Sequence, residues 1–242
     1  PATLARKPGD VARRQPRGHH PRWLSGEQSY WTPVGLADGE TCAIMNEEGM
    51  VELDRGTFSI EPFLFADGRL LTWADVETSQ ALEDGWVPIP SSRWQAGTLS
   101  LQTTAFARRT AGLATLFLRY RLETPAPAAR SVKLFPTIRP FQANPPWQRF
   151  GDLGGVARVA GLVWDQRAVC VDESRFVVPL GEVAGFGAAP FEQGEVTWYL
   201  AQGRLPPRTA VSDGFARASG ALGFDVDLEP GGTRDVYLAL PF

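Results

Sequence analysis

Residues 113–122 read LATLFLRYRL, and this stretch decides the fold class because its side chains alternate with a period of two. One face of an extended chain carries Leu116, Leu118, Tyr120 and Leu122. The opposite face carries Thr115, Phe117, Arg119 and Arg121. An alternation of this kind predicts a β-strand with one buried face rather than a helix, whose side chains repeat every 3.6 residues.

The same pattern extends outward in both directions. Residues 98–107, TLSLQTTAFA, predict the preceding strand, and residues 222–240 predict a closing hairpin that turns at EPGG. Asp67-Gly68 predicts a further tight hairpin, because such turns need positive φ. Proline lacks the backbone N–H of a sheet ladder, so we expect Pro62 and Pro136 on edge strands or at bulges.

About a dozen strands follow one another at the spacing of about 8 to 12 residues that is typical of β-sandwiches. We therefore predict an all-β fold with little helix, an antiparallel two-sheet β-sandwich formed by residues 30–242 as a single domain. A closed barrel also fits the pattern. Residues 1–29 are rich in Arg, Pro and Gly, which predicts a linker or peripheral strap that is partly disordered, with His19 and His20 exposed.

The composition argues against several classes of function. The 24 Lys and Arg nearly balance the 27 Asp and Glu, which disfavours nucleic acid and membranes as partners. The only cysteines, Cys42 and Cys170, lack metal-ligand spacing, and no cofactor motif is present, so we expect neither metal nor cofactor. The sequence shows no secretory signal pattern and begins with Pro1, which suggests a piece of a longer protein and assigns no compartment.

Catalytic signatures are scarce in the sequence. A Ser/His/Asp triad would have to use a histidine from the segment 1–29, and residues 30–242 contain none. Glu61, Asp75 and Glu77 lie on the two predicted arms of the Asp67-Gly68 hairpin, so two of them could face each other as a carboxylate pair of the glycosidase type. Ordinary pairing with arginine or with loop backbone is the interpretation we favour for them.

Residues 139–148, RPFQANPPWQ, are the strongest candidate site. Prolines stiffen this segment, and a stiff loop can hold an aromatic plate between amide and guanidinium donors. That composition fits a carbohydrate subsite or a domain interface, and it also fits a crossover loop packed on its own sandwich with Arg139 satisfying buried carbonyls. The candidate binding or interdomain residues are Arg139, Gln142, Asn144, Trp147, Gln148, Trp73 and Asp75.

Four stretches together carry a family resemblance: GTFSIEPFLFADGRLLTWADVETSQALEDGWVPIPSSRW (56–94), RPFQANPPWQRFGDLGGVA (139–157), GFGAAPFEQG (185–194) and ASGALGFDVDLEPGG (218–232). They resemble the galactose-mutarotase-like supersandwich domain that precedes an (α/α)6 six-hairpin barrel in large bacterial proteins. Some of those proteins are described as coagulation factor 5/8 type (discoidin) domain proteins. The likeness spans roughly residues 30–242.

In glycoside hydrolases and phosphorylases built this way, the catalytic carboxylates generally come from the helical barrel and the sandwich packs against it. The resemblance therefore implies a non-catalytic domain of a larger carbohydrate-active protein, whose partner is an adjacent (α/α)6 domain of the same polypeptide. An autonomous carbohydrate-binding module is the alternative, with carbohydrate as its partner. A self-sufficient sugar lyase, isomerase or glycosidase is a third reading. Fold analogy alone does not establish any of these functions.

Overall fold

The computed structural model describes residues 12–144, 155–193 and 195–242. Within these ranges the chain forms 17 strands, a few 3-10 turns and one α-helix, α1 (Thr197–Leu200). None of the described helices has the length and apolarity needed to span a membrane. The strands are β1 (Trp31–Gly35), β2 (Cys42–Asn46), β3 (Val51–Glu52), β4 (Ser59–Ala66), β5 (Arg69–Leu71), β6 (Glu77–Glu83), β7 (Val87–Ala96), β8 (Leu99–Thr110), β9 (Leu113–Glu123), β10 (Arg130–Arg139), β11 (Gly161–Trp164), β12 (Val169–Val171), β13 (Arg175–Pro179), β14 (Gly185–Ala189), β15 (Ala210–Ser212), β16 (Ser219–Leu228) and β17 (Thr233–Pro241).

The strands form two antiparallel sheets, which confirms the predicted sandwich and not the barrel. The eight-stranded sheet has the order β1-β2-β3-β4-β10-β16-β14, with β5 pairing with β4. The nine-stranded sheet has the order β15-β11-β12-β13-β17-β9-β8-β7-β6. Several strands, such as β3 and β15, are only two or three residues long, and this explains why the sequence predicted about a dozen strands and not 17.

The main core lies between the two sheets and follows the period-two pattern. In β9, Leu116, Leu118, Tyr120 and Leu122 are buried in this core, as predicted. From the facing sheet come Ile60, Leu64, Leu134 and Ile138 on two neighbouring strands. Burial of apolar side chains on this scale is the main stabilising contribution to the fold.

The hairpin at Asp67-Gly68 is confirmed: both residues have positive φ, of 52° and 76°, and they join β4 to β5. The expectation that Pro62 and Pro136 lie on edge strands is wrong. The two prolines face each other in the β4–β10 pair, in the interior of the sheet. Neither proline has a backbone N–H to donate, and each lies where the strand on its other side does not pair with it. On β4, the pairings with β3 and β5 lie before and after Pro62. On β10, the pairing with β16 is interrupted between Leu134 and Thr137, which leaves Pro136 unpaired on that side.

The outward face of the eight-stranded sheet is covered rather than open to solvent. Ala12, Trp23 and Leu24 from the N-terminal segment pack with Met50, Phe141 and Ala143. Further along the same face, Val196 and Leu200 pack on Phe63, Phe135 and Ala221. Residues 12–29 thus form a strap across this face.

Candidate functional site

Arg139 lies at the centre of a buried polar cluster on the covered face. It ends β10, and none of its side chain is exposed. Its Nη1 donates to Glu61 Oε2 at 2.9 Å, and its Nη2 lies 2.7 Å from Glu195 Oε1. The guanidinium also stacks on the Phe141 ring, with 4.5 Å between Cζ and the ring centroid. Arg139 therefore pairs with two carboxylates and not with the backbone carbonyls that we considered from the sequence.

The pKa values of the two carboxyls that share this guanidinium are shifted in opposite directions. Burial raises the pKa of Glu61, and the charge of Glu195 reinforces the shift against the opposing effect of Arg139. Burial also acts on Glu195, but Arg139, His20 and hydrogen bonds from Thr197 hold its pKa below the usual value. Protonation of Glu61 leaves one full ion pair, Arg139–Glu195, so the cluster approaches neutrality.

His20 brings the strap into this cluster. Its side chain is 4% exposed and its ring lies edge-on to Phe141, with the centroids 5.5 Å apart. Burial, reinforced by the charge of Arg139, lowers the pKa of His20 to about 4, so the ring is neutral near pH 7. The expectation of an exposed histidine pair is wrong for His20, because the strap places it against the sheet; His19 is half-buried.

Gln142 and Asn144 extend the cluster but do not form an open binding loop. Both are buried, and the Gln142 carbonyl accepts the indole N–H of Trp23 at 2.9 Å. Glu52 Oε2 accepts the Ala143 N–H at 3.0 Å. Burial raises the pKa of Glu52 to about 7, although these backbone hydrogen bonds oppose the shift. Trp147 and Gln148 lie outside the described residues.

Trp73 and Asp75 have structural contacts of their own. The indole of Trp73 is buried, donates to the His20 carbonyl at 3.0 Å, and lies under the guanidinium of Arg17, 4.5 Å from its centroid. Asp75 is exposed and accepts from the N–H and the hydroxyl of Thr72, at 2.9 and 2.6 Å. These bonds cap a short 3-10 turn, so Trp73 holds the strap and Asp75 caps a turn.

Salt bridges fix the strap to the sheet as well. The Arg22 guanidinium pairs with Glu48 and lies 3.9 Å from Glu47. Burial raises the pKa of Glu48 to about 7, while Arg22 opposes the shift. The strap is therefore held by charge pairs at Arg22 and by two indole hydrogen bonds.

The arrangement is suited to holding the strap and the sheet together. Glu61, Asp75 and Glu77 do not meet in one pocket: Glu61 is buried with Arg139, Asp75 caps its turn, and Glu77 is exposed on β6 of the other sheet. The described residues contain no group of three His, Cys, Asp or Glu side chains that could hold a metal ion. The proposed carboxylate pair of a self-sufficient glycosidase is therefore not formed by these three residues.

A second feature lies on the outward face of the nine-stranded sheet. The strand register places Val163, Cys170 and Phe176 side by side on β11, β12 and β13. Beside this row, the register places a second row on β13, β17, β9 and β8, formed by Val178, Ala239, Phe117 and Phe106. We call these seven residues and Leu180 the apolar band.

Three side chains of the apolar band are exposed to solvent. Val163 is 49% exposed, Phe176 42% and Leu180 51%. Phe106 and Phe117 stack with centroids 5.3 Å apart and are half-buried. Soluble proteins rarely leave a contiguous apolar surface of this kind uncovered unless something binds it.

Sequence reasoning missed Glu195, Glu52 and the strap residues of the cluster. Their partners are distant along the chain, and no local motif marks them. One signal was available in β4, SIEPFLFA, where Phe63 and Phe65 alternate with Ile60 and Leu64. Apolar residues on both faces indicate a strand that is covered on both sides.

No family model matches the chain, and no curated protein is similar to it. Among solved structures, it is similar to a protein from the human microbiome that is described as a kojibiose phosphorylase, with 5% sequence identity and a TM-score of 0.42. The match covers 88% of this chain and 25% of that protein. The chain thus spans about a quarter of the length of that protein.

Proposed function

We propose that this chain is the non-catalytic β-sandwich domain of a larger carbohydrate-active protein of the glycoside hydrolase or phosphorylase type. In this proposal the apolar band packs against an adjacent catalytic (α/α)6 domain of the same polypeptide, and the sandwich helps to shape the rim of the substrate cleft. The observation that carries the proposal is the apolar band itself.

The position of the band supports an adjacent domain as its occupant. It occupies the outward face of one sheet, whereas the matching face of the other sheet is already covered by the strap and by the segment around α1. An extended sheet face suits a domain rather than a small ligand, which would need a concave site. The family resemblance of residues 30–242 is the reason for proposing that this adjacent domain is a helical (α/α)6 barrel.

The polar cluster supports a structural role for the strap face. Catalytic acids and bases must reach the substrate, whereas Arg139, Glu61 and Glu195 are buried and form ion pairs with one another. In the proposal, Arg139, Gln142 and Asn144 therefore stabilise the fold, and the catalytic carboxylates belong to the adjacent domain.

Binding between separately produced domains tests this proposal. The 242-residue chain should bind the helical domain of the parent polypeptide, and Phe176→Asp should weaken that binding by at least tenfold, because it places a charge in the apolar contact. Trp198→Asp is the matched control, since Trp198 is 54% exposed on α1, which packs on the outward face of the other sheet.

Sugar turnover provides the second readout. We expect phosphorolysis or hydrolysis of glycosides by the helical domain, alone or combined with this chain, and none by this chain alone. Equal binding of wild-type and Phe176→Asp chains to the helical domain would contradict the role of the band. Turnover by the isolated chain would contradict the non-catalytic assignment.

A further inference from the structure

An open cleft of about 660 Å³ lies at one end of the sandwich. One wall is the turn between β11 and β12, and the other is the segment 179–185 that leads from β13 into β14. The volume falls within the range of about 300–1,000 Å³ that small-molecule sites occupy. The side chains of Trp164, Gln166, Arg167 and Glu182 form part of its lining.

Trp164 forms the aromatic wall of the cleft. Its ring is half-buried and packs near Phe186 of the other sheet, with 6.0 Å between the centroids and a tilt of 33°. This packing fixes the ring, while its indole N–H has no partner among the described residues. A fixed aromatic surface with a free donor at its edge binds a ligand at low entropic cost.

Gln166 stands in a strained turn that points to a role for its side chain. The loop from Asp165 to Ala168 is a tight hairpin, closed by a backbone hydrogen bond of 3.2 Å from Asp165 N to Ala168 O. Gln166 is the first of its two central residues and has φ 75°, a conformation that favours glycine. The Asp165 carboxylate accepts the N–H groups of Arg167 and Ala168 at 2.8 and 2.7 Å, which holds the turn rigidly. A glutamine at this position costs stability and presents an amide to the cleft.

Arg167 and Glu182 bring opposite charges to the cleft from its two walls. Both are exposed, and neither forms a salt bridge or side-chain hydrogen bond within the described part of the chain. With one cation, one anion, an amide and an indole N–H, the cleft offers both donors and acceptors without a net charge. These donors and acceptors together match a ligand that carries neighbouring hydroxyl groups better than they match an ion.

We propose that this cleft binds a neutral sugar unit. The apolar C–H face of the sugar lies against Trp164, and its hydroxyls bond to Gln166, Arg167 and Glu182. The cleft and the apolar band share Val178, and Leu180 of the band lies between the lining residues Pro179 and Gly181. The proposed site uses only residues of this chain, so the proposal does not depend on an adjacent domain. It gives the chain a ligand site of its own at the open end of the sandwich.

Calorimetric and NMR titrations of the 242-residue chain test the proposal. The probes are glucose, galactose, mannose and their neutral disaccharides, with inorganic phosphate and glucose 1-phosphate as charged alternatives. We expect at least one neutral sugar to bind with a Kd of about 0.1–10 mM. Arg167→Ala and Glu182→Gln should each weaken it about tenfold, whereas Arg108→Ala, an exposed arginine on β8, should leave it unchanged.

Gln166→Gly separates a binding role from a structural one. Glycine relieves the strain at φ 75°, so the variant should melt at a higher temperature and yet bind the sugar more than tenfold more weakly. Phe176→Asp, which targets the apolar band, should leave sugar binding intact. The proposal is wrong if no neutral sugar binds, if only the phosphate compounds bind, or if all three cleft variants bind as the wild type does.

Discussion

Replacing Arg139 with methionine should destabilise the chain severely. Methionine has a similar length and fills the space beside Phe141, so the change removes charge and hydrogen bonds more than volume. Glu61 and Glu195 then lose their shared guanidinium, whose nitrogens lie 2.9 and 2.7 Å from their oxygens. Both carboxyls remain buried.

The magnitude follows from the burial of all three groups. Breaking a buried ion pair by removing one partner costs about 3–5 kcal/mol, because it leaves an uncompensated charge. In a chain of this size each kcal/mol lowers the melting temperature by about 2–4 °C, so we expect a fall of about 6–20 °C. Total stability is typically about 5–15 kcal/mol, and the variant would therefore lose a large share of it.

Urea denaturation followed by circular dichroism measures this loss. Arg108→Met is the control, because Arg108 is exposed, and it should change stability by less than about 0.5 kcal/mol. In Arg139→Met the pKa values of both carboxyls rise above their unfolded values. The protonated carboxyls are therefore favoured in the folded state at low pH, and the deficit relative to wild type should shrink as pH falls from 8 to 5.

A triple variant separates charge from packing. Adding Glu61→Gln and Glu195→Gln to Arg139→Met removes the stranded charges, so more than half of the lost stability should return. A loss below about 1 kcal/mol in Arg139→Met would refute the account of the cluster. So would a loss that the two glutamine substitutions leave unchanged, since it would point to packing and not to charge.

Three further predictions concern single residues. Tyr120 is buried in the core and its hydroxyl has no partner among the described residues, so Tyr120→Phe should leave stability unchanged or raise it by about 1 kcal/mol in urea melts. Burial raises the pKa of Glu52 to about 7, so its contribution to stability is complete below its unfolded pKa and is lost as pH rises through 7. Glu52→Gln should therefore flatten the fall in stability between about pH 4.5 and 7, and an unchanged slope would refute the assignment. A Cβ on Gly187 would lie 2.1 Å from the Pro206 carbonyl oxygen, so Gly187→Ala should cost about 1–3 kcal/mol, while Gly214→Ala, in open space, should cost little.

The fold was predictable from the sequence because period-two alternation is a local signal. Leu116 to Leu122 in β9 and the Asp67-Gly68 hairpin are examples in which neighbouring residues decide the outcome. The positions of Pro62 and Pro136 were predicted wrongly because the preference of proline for edge strands is a local rule. That rule takes no account of interruptions in the pairing with neighbouring strands. Those interruptions depend on pairing between distant segments.

The polar cluster was only partly predictable for a related reason. Arg139 was singled out from its loop, but its partners Glu61 and Glu195 are 78 and 56 positions away along the chain, and only the folded sheet brings them together. Likewise, residues 1–29 contain few apolar residues, so their composition alone predicts that the segment buries little apolar surface. The few apolar residues of the strap, such as Trp23 and Leu24, nevertheless fill a groove whose shape the segment itself does not encode.

Alkylation of the two cysteines measures whether an adjacent domain covers the apolar band. Cys170 lies in the apolar band, and Cys42 is exposed on β2 of the other sheet, so the second thiol serves as an internal reference in the same molecule. If an adjacent domain covers the band, the Cys170 thiol should react much more slowly in the parent polypeptide than in the 242-residue chain, while the Cys42 rate stays the same. Equal Cys170 rates in the two proteins would show that the band remains open and would contradict the account.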